Sequence, residues 1–325
     1  MNFKVDYHLQ PPVWQFNGHV QTIYPSLYRS IPVNYVRERL ELPDGDFLDL
    51  DWSNNNSDSL VVVTHGLEGD STRHYVTGMI RAFQTIGFDG LGWNSRSCSG
   101  ELNRLPRFYH HGDAEDLRAV IEHAKNVHGY KKIFLVGFSM GGSLTLRYLG
   151  ERPNLVAAEV IGAVAASVPL DLYEGVHELD KFGKRFYMDR FIKKLAVKIE
   201  EKSKRFPDNE LLEFKQKYAQ IKNFIDFDNA YTAPLHGYAD AIDFYTKASA
   251  KQFIPSINVP TTVIQALNDP FLSQICFNWS DVGSNDNCKL HITDKGGHVG
   301  FMERGEEFTY VERFCVDLIK KSTLI

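Results

Sequence analysis

Ser139 stands in Gly137-Phe138-Ser139-Met140-Gly141-Gly142, between an apolar run, Ile133–Val136, and a helix-compatible pattern through Leu144, Leu146 and Tyr148. A serine on a sharp strand-to-helix turn has its hydroxyl pushed clear of the sheet, and flanking glycines let the neighbouring backbone approach. A glycine-rich turn that only packs tightly, or that binds an anion at the helix N-terminus, has the same outward pattern. The hydroxyl is a poor nucleophile at neutral pH, so it needs a histidine base that a carboxylate orients. In a parallel sheet such partners collect just past the carboxyl ends of strands. Asp269 lies two residues beyond the predicted strand Thr261–Leu267, and His298 lies five beyond Lys289–Thr293, in the turn Gly296-Gly297-His298. The order Ser139, Asp269, His298 is one in which serine triads occur. Before Pro270, Asp269 also reads as a turn residue. Asp294 is its nearest rival, but it stands too close in sequence to His298 to reach across. The alkoxide needs two backbone N–H donors. Met140, after the nucleophile, and Leu67, in the His65-Gly66-Leu67 loop, are the candidates, with His65 supporting that loop.

The elements that would position these residues follow from periodicity. Tyr35–Leu42 and Phe47–Trp52 alternate around Pro43-Asp44-Gly45-Asp46, which predicts a β-hairpin. Leu60–Thr64, Phe88–Trp93, Ile133–Val136 and Val160–Ala165 are short apolar runs suited to strands buried on both faces. Thr72–Thr85 and Gly112–His128 read as helices, the second with Leu117, Val120, Ile121 and Ala124 on one face. Thr261–Leu267, Lys289–Thr293 and a closing helix over Glu306–Lys320 complete the alternation. The pattern predicts an α/β fold with a mostly parallel central sheet and helices on both faces. Residues 1–34, rich in proline and aromatics without a period, read as an extended N-terminal arm that buries its aromatics. From about 170 to 254 the alternation stops, and this charged, helical segment is expected as a cap inserted into a single domain spanning 1–325.

Composition narrows the function classes. A net charge of −5 leaves no footprint for nucleic acid. Cys98, Cys276, Cys288 and Cys315 are scattered, which favours free thiols in a reducing, cytoplasmic compartment. No apolar run approaches the roughly 20 residues that cross a bilayer, and the N-terminus lacks a signal-peptide core. Residues 181–205 hold ten Lys or Arg against three acids, with Phe182, Phe186, Phe191, Ile192, Leu195 and Ile199 interspersed. Two readings fit: a cap helix with its apolar face over the site and its basic face in water, or an amphipathic helix in peripheral contact with an anionic membrane.

Four strings carry a resemblance. They are Asn94-Ser95-Arg96-Ser97-Cys98-Ser99-Gly100-Glu101-Leu102-Asn103-Arg104, Phe108-Tyr109-His110-His111-Gly112, Gly18-His19-Val20-Gln21-Thr22, and the serine turn itself. With the residue order above, they resemble the α/β-hydrolase superfamily and, within it, the YheT-like branch, whose eukaryotic relatives include esterases and lipases acting on acyl esters. The resemblance covers the chain from residue 18 to about 315. It implies an α/β-hydrolase fold with Ser139 as nucleophile, His298 as base and Asp269 as orienter. Relatives commonly have a glycine before the cysteine where this chain has Asn94-Ser95-Arg96-Ser97. The expected activity is carboxylic ester hydrolysis on a small-molecule acyl ester, with no metal or organic cofactor required. An acyltransferase would use the same acyl-enzyme with an alcohol in place of water, and a ligand-binding protein would retain the fold without chemistry. Oligomeric state is not legible.

Other residues receive structural readings. Cys98 lacks a basic neighbourhood beyond Arg96, which argues against a reactive thiol. Arg96, Asn103 and Arg104 are expected to fix their loop by hydrogen bonds. His110, His111 and His128 have no metal-ligand spacing. His111 and Asp116 form an H-x₄-D pair of the type proposed as catalytic in some lipid acyltransferases, but Asp113 and Asp116 are explained by helix capping and the helix dipole.

Overall fold

A computed structural model describes residues 4–277 and 285–322. The strands are β1 (Val36–Glu41), β2 (Phe47–Ser53), β3 (Ser59–Thr64), β4 (Asp89–Asn94), β5 (Lys132–Phe138), β6 (Val160–Ala166), β7 (Thr261–Ala266) and β8 (Cys288–Thr293). They form one sheet in the order β1-β2-β4-β3-β5-β6-β7-β8. The β1–β2 hairpin and the β2–β4 pair are antiparallel, and every later pairing is parallel. The central strands are apolar throughout because both faces are covered. Leu60 and Val62 of β3 face one core with Ile133 and Leu135 of β5, whereas Val61, Val63, Phe134 and Val136 face the other.

Helices α1 (Gly18–Tyr28), α2 (His74–Gln84), α3 (Ala114–Asn126) and α4 (Met140–Glu151) precede β6 or lie between the earlier strands. Leu117, Val120 and Ile121 of α3 and Leu144 and Tyr148 of α4 close the first core. The second is closed by Val76, Met79 and Phe83 of α2 and by Val311 and Cys315 of α11 (Tyr310–Ser322). Between β6 and β7 the chain contains α5 (Leu172–Leu179), α6 (Arg185–Arg205), α7 (Lys215–Tyr218), α8 (Phe224–Phe227), α9 (Ala233–Leu235) and α10 (Ala241–Ala248). Inward side chains of this segment, including Met188, Ile192, Leu195, Phe227 and Tyr231, form a separate apolar cluster.

Two expectations need correction. The arm is not wholly extended: α1 is helical, started by Asn17, whose side chain accepts the Val20 N–H at 2.9 Å. Nor are its aromatics all buried, since Phe16 and Tyr28 are 77 % and 69 % exposed. Gly18 and Pro25 weaken the helical signal in sequence, and the helix is held instead by tertiary contacts: a Cβ on Gly18 would lie 1.9 Å from the Asn268 carbonyl oxygen. The basic face of α6 is likewise not all in water, because Lys198 and Lys202 turn inward and form hydrogen bonds to the body of the fold. Among the described residues no helix is long and apolar enough to cross a membrane.

Candidate active site

Ser139 stands between β5 and α4 with φ 54° and ψ −119°, a backbone conformation that L residues adopt only under constraint. The constraint is the packing on either side. A Cβ on Gly137 would lie 2.2 Å from the Gly141 carbonyl oxygen, and one on Gly141 would lie 2.2 Å from that of Thr64. Only glycine at both places lets α4 start directly against β3 and β5.

His298 Nε2 lies 2.9 Å from Ser139 Oγ, and His298 Nδ1 lies 2.8 Å from Asp269 Oδ2. The structure therefore brings together all three side chains singled out in sequence. Asp269 is buried, and its other oxygen accepts the Phe271 N–H at 2.7 Å, so the carboxylate is held on two sides. Phe271 also stacks on the His298 ring, with centroids 4.0 Å apart. The rival Asp294 is engaged elsewhere, accepting the Leu9 N–H at 2.8 Å and contacting His8.

Sequence reasoning missed the residues that hold the histidine turn. His298 N–H donates to Thr22 Oγ1 at 2.8 Å, and Gly296 N–H donates to Gln21 Oε1 at 2.9 Å. Gln21 Oε1 also accepts from Asn268 Nδ2 at 2.9 Å, and Asn268 Oδ1 accepts the Gly297 N–H at 3.0 Å. Helix α1 thus ties the Asp269 loop to the His298 loop. The available signal was the string Gly18-His19-Val20-Gln21-Thr22, which sequence alone gave no role.

The loop after β3 runs beside the serine: a Cβ on Gly66 would sit 3.1 Å from Ser139 Cβ. Among the described residues neither the Leu67 nor the Met140 N–H has an acceptor within the protein. His65 is fully buried; its Nδ1 bonds Gly66 O at 2.7 Å and its Nε2 accepts the Ser95 N–H at 3.1 Å. Burial lowers its pKa to about 4, so it is a neutral strut. Glu68 follows with φ 55°. The Tyr109 hydroxyl accepts the Glu68 N–H and donates to its carboxylate, both at 2.7 Å, and Lys198 of α6 approaches the same carboxylate at 2.6 Å.

Two cavities meet at Ser139 and His298. The first, of about 100 Å³, is walled by Leu67, Phe108, Val176, Phe191, Leu195 and Phe271 among others. At its margin lies Asp228, whose pKa burial raises to about 6 against hydrogen bonds from Thr232 and Tyr245. The second, of about 150 Å³, is bounded by Gly66, Leu67, Leu27, Arg73, Arg190 and Lys194.

Arg96 is buried and spans Asp46 at 2.8 Å and both oxygens of Asp116 at 2.7 and 2.8 Å. Asn103 donates to Asp46 at 2.6 Å, Ser99 to Asp49 at 2.6 Å, and Glu101 pairs with Arg39 at 2.7 Å. The Asn94–Arg104 string therefore bolts its loop to the β1–β2 hairpin. Asp116 lies in the first turn of α3, as the dipole reading expects, and is also the partner of Arg96, whereas Asp113, at the N-cap position of α3, forms no capping hydrogen bond. This corrects the capping reading and leaves His111 unpaired with Asp116. Cys98 does have a second basic neighbour, Lys198 at 3.4 Å, but burial pushes its thiol up to about 11. His110 and His111 line the first cavity, whereas His128 joins His123 on Glu38, at 2.9 and 2.8 Å. Among the described residues those three are the side chains whose geometry could hold a metal ion, their ligand atoms all lying within 4.8 Å of one another. The pairing was invisible in sequence because Glu38 comes from β1.

An eight-stranded, mostly parallel sheet with a strained serine at the end of β5 defines an α/β hydrolase. The chain belongs to this family: residues 59–305 match the alpha/beta hydrolase fold. It is of the esterase/lipase type and YheT-like, being 33% identical over 291 residues to the protein YheT of Escherichia coli, an alignment covering 88% of this chain and 84% of that one. It is also 27% identical to Phospholipase ABHD3 of Mus musculus, covering 93% of this chain and 76% of the relative. With the Monoacylglycerol lipase of Saccharomyces cerevisiae it shares 29% identity over 80% of this chain and 59% of the relative. Among solved structures, the esterase Pf2001 of Pyrococcus furiosus superposes with a TM-score of 0.59 at 19% identity, over 89% of this chain and 93% of that one, which is a likeness of fold.

Proposed function

We propose that the protein hydrolyses carboxylic acyl esters through an acyl-enzyme on Ser139. The observation that carries this reading is the continuous chain from Ser139 Oγ to His298 Nε2 and from His298 Nδ1 to Asp269 Oδ2, at 2.9 and 2.8 Å, opening onto an apolar cavity. His298 takes the serine proton as Oγ attacks the ester carbonyl, and Asp269 stabilises the imidazolium that forms. The Leu67 and Met140 N–H groups receive the alkoxide. His298 then protonates the leaving alcohol and activates the water that releases the acid. The aromatic and aliphatic walls of the first cavity suit an acyl chain, and the likeness to a phospholipase and a monoacylglycerol lipase supports an acyl lipid as substrate class.

A fluorophosphonate probe tests the nucleophile: labelling of the wild type that is absent in folded Ser139→Ala is expected. A chain-length series of p-nitrophenyl esters tests the cavity, with a medium-chain optimum expected. Acetyl as the best acyl group, or transfer to an added alcohol outpacing hydrolysis, would contradict the reading.

A further inference from the structure

The second cavity differs from the first in charge. Its walls carry Arg73, Arg190 and Lys194, while Ser139 and His298 stand at its inner end. The carboxylate on its lining, Glu68, is already matched by Lys198 at 2.6 Å. Arg73 reaches a carboxylate only at 3.6 Å, from Asp70, and its buried Nε has no hydrogen-bond partner. Among the described residues Arg190 and Lys194 have no carboxylate within ion-pair distance. The like charges are close enough to be felt: burial first, then Arg73, with Arg190 and Lys198 adding less, hold the Lys194 ammonium below its usual pKa against an opposing pull from Glu68. Two cations without an ion-pair partner, Arg190 and Lys194, and a third, Arg73, held only loosely by Asp70, thus line one cavity beside the reacting centre, a concentration of positive charge that suits an anion.

Resting on the hydrolase reading above, we infer that this cavity is the alcohol-side subsite, and that Arg73, Arg190 and Lys194 receive a phosphate on the alcohol portion of the acyl ester. The acyl chain lies in the first cavity, so the ester carbonyl falls at Ser139 where the two meet. Phosphate fits better than a single carboxylate because three cations match a multiply charged group, and guanidinium forks bond phosphate oxygens in pairs. The Leu27 side chain of α1, 56 % exposed, forms part of the same wall and leaves the cavity open towards solvent.

The test compares 1-butyrylglycerol 3-phosphate with 1-butyrylglycerol, matched esters that differ only in the anion. Binding is measured by calorimetry on full-length Ser139→Ala, and kcat/KM on the wild type. The phosphate ester is expected to be preferred by roughly tenfold or more in both, with the ratio falling as salt rises. Arg190→Gln/Lys194→Gln should collapse that ratio towards one, mainly through KM. Arg190→Glu, at an exposed position that the fold tolerates, should invert it. Equal binding of the two esters overturns the subsite, as does an unchanged ratio in the variants. Inorganic phosphate alone binding as tightly as the phosphate ester also overturns it, since that would mark a free-anion site. Preference in binding without turnover of either ester by the wild type would refute the hydrolase reading and leave the subsite standing.

Discussion

The Lys198 ammonium, on α6, lies 2.6 Å from the carboxylate of Glu68, the residue that follows Leu67. This ion pair joins the helical segment between β6 and β7 to the loop that supplies one proposed oxyanion donor. Glu68 holds a left-handed conformation, and its N–H and carboxylate are both bound to the Tyr109 hydroxyl. Removing Lys198 leaves a buried carboxylate without its counter-charge and frees the loop to relax. Lys198→Met is therefore expected to lower kcat on a neutral ester by about tenfold, less than the loss of a whole oxyanion donor. KM should change little, and Lys198→Arg should restore part of the rate. A KM effect alone would mean that Lys198 contacts substrate rather than positioning the loop.

Thr22 accepts the His298 N–H, and its own hydroxyl donates to Gly18 O at 2.7 Å. Thr22→Val keeps the shape but removes the acceptor, so the histidine turn loses a buried hydrogen bond. Stability should fall by about 1–2 kcal/mol. The rate of fluorophosphonate labelling should fall by several-fold at unchanged probe affinity, because the imidazole is less well placed on Ser139. A variant that loses stability but labels at the wild-type rate would show that α1 braces the fold and not the base.

The parts of the fold legible in sequence were those whose cause is local. The serine turn is specified by five consecutive residues, and the strands before Asp269 and His298 by apolar runs bounded by Gly, Asp and Pro. What sequence could not give depends on partners far along the chain. Helix α1 contains Gly18 and Pro25, both poor in a helix interior, and exists because Gly18 fits against Asn268 and Asn17 caps its start. Asp116 does sit in the first turn of α3, but nothing nearby in sequence announces its partner Arg96, or Asp46 beyond that. Charge counting over 181–205 likewise could not say that Lys198 and Lys202 face inward while Arg185, Arg190 and Lys193 stay outside.

For the outer part of that segment we propose contact with an anionic membrane surface. Phe182 is fully exposed and Phe186 is half exposed, beside exposed Lys181 and Arg185. Apolar rings next to cations are what an anionic interface would bury. Binding to vesicles containing phosphatidylserine should drop by about tenfold or more in Phe182→Ser/Phe186→Ser, each ring contributing on the order of 1–2 kcal/mol of partitioning. Activity on a soluble p-nitrophenyl ester should be retained. Equal partitioning of wild type and variant in a flotation assay would refute the contact.

Lys202 offers a stability measurement with a definite sign. Its side chain is fully buried and donates to Leu105 O at 2.6 Å, and among the described residues no carboxylate pairs with it. Burial lowers its pKa from 10.5 to about 8, against the opposing pull of Asp46 and with smaller help from the charges of Arg205, Arg96 and Lys198. A cation whose pKa is depressed on folding is a burden wherever both states are protonated, that is, below about pH 8. Between about 8 and 10.5 the unfolded chain still binds the proton and the folded one does not, so stability attributable to this residue rises with pH across that window. Against Lys202→Met, which cannot titrate, wild type should gain on the order of 1–3 kcal/mol in unfolding free energy from pH 7 to pH 10. Urea midpoints of the two proteins at pH 7, 8.5 and 10, with equal m-values, would show it. If the difference between them stays flat, the ammonium is solvated in the folded state and the Leu105 carbonyl is not its main partner.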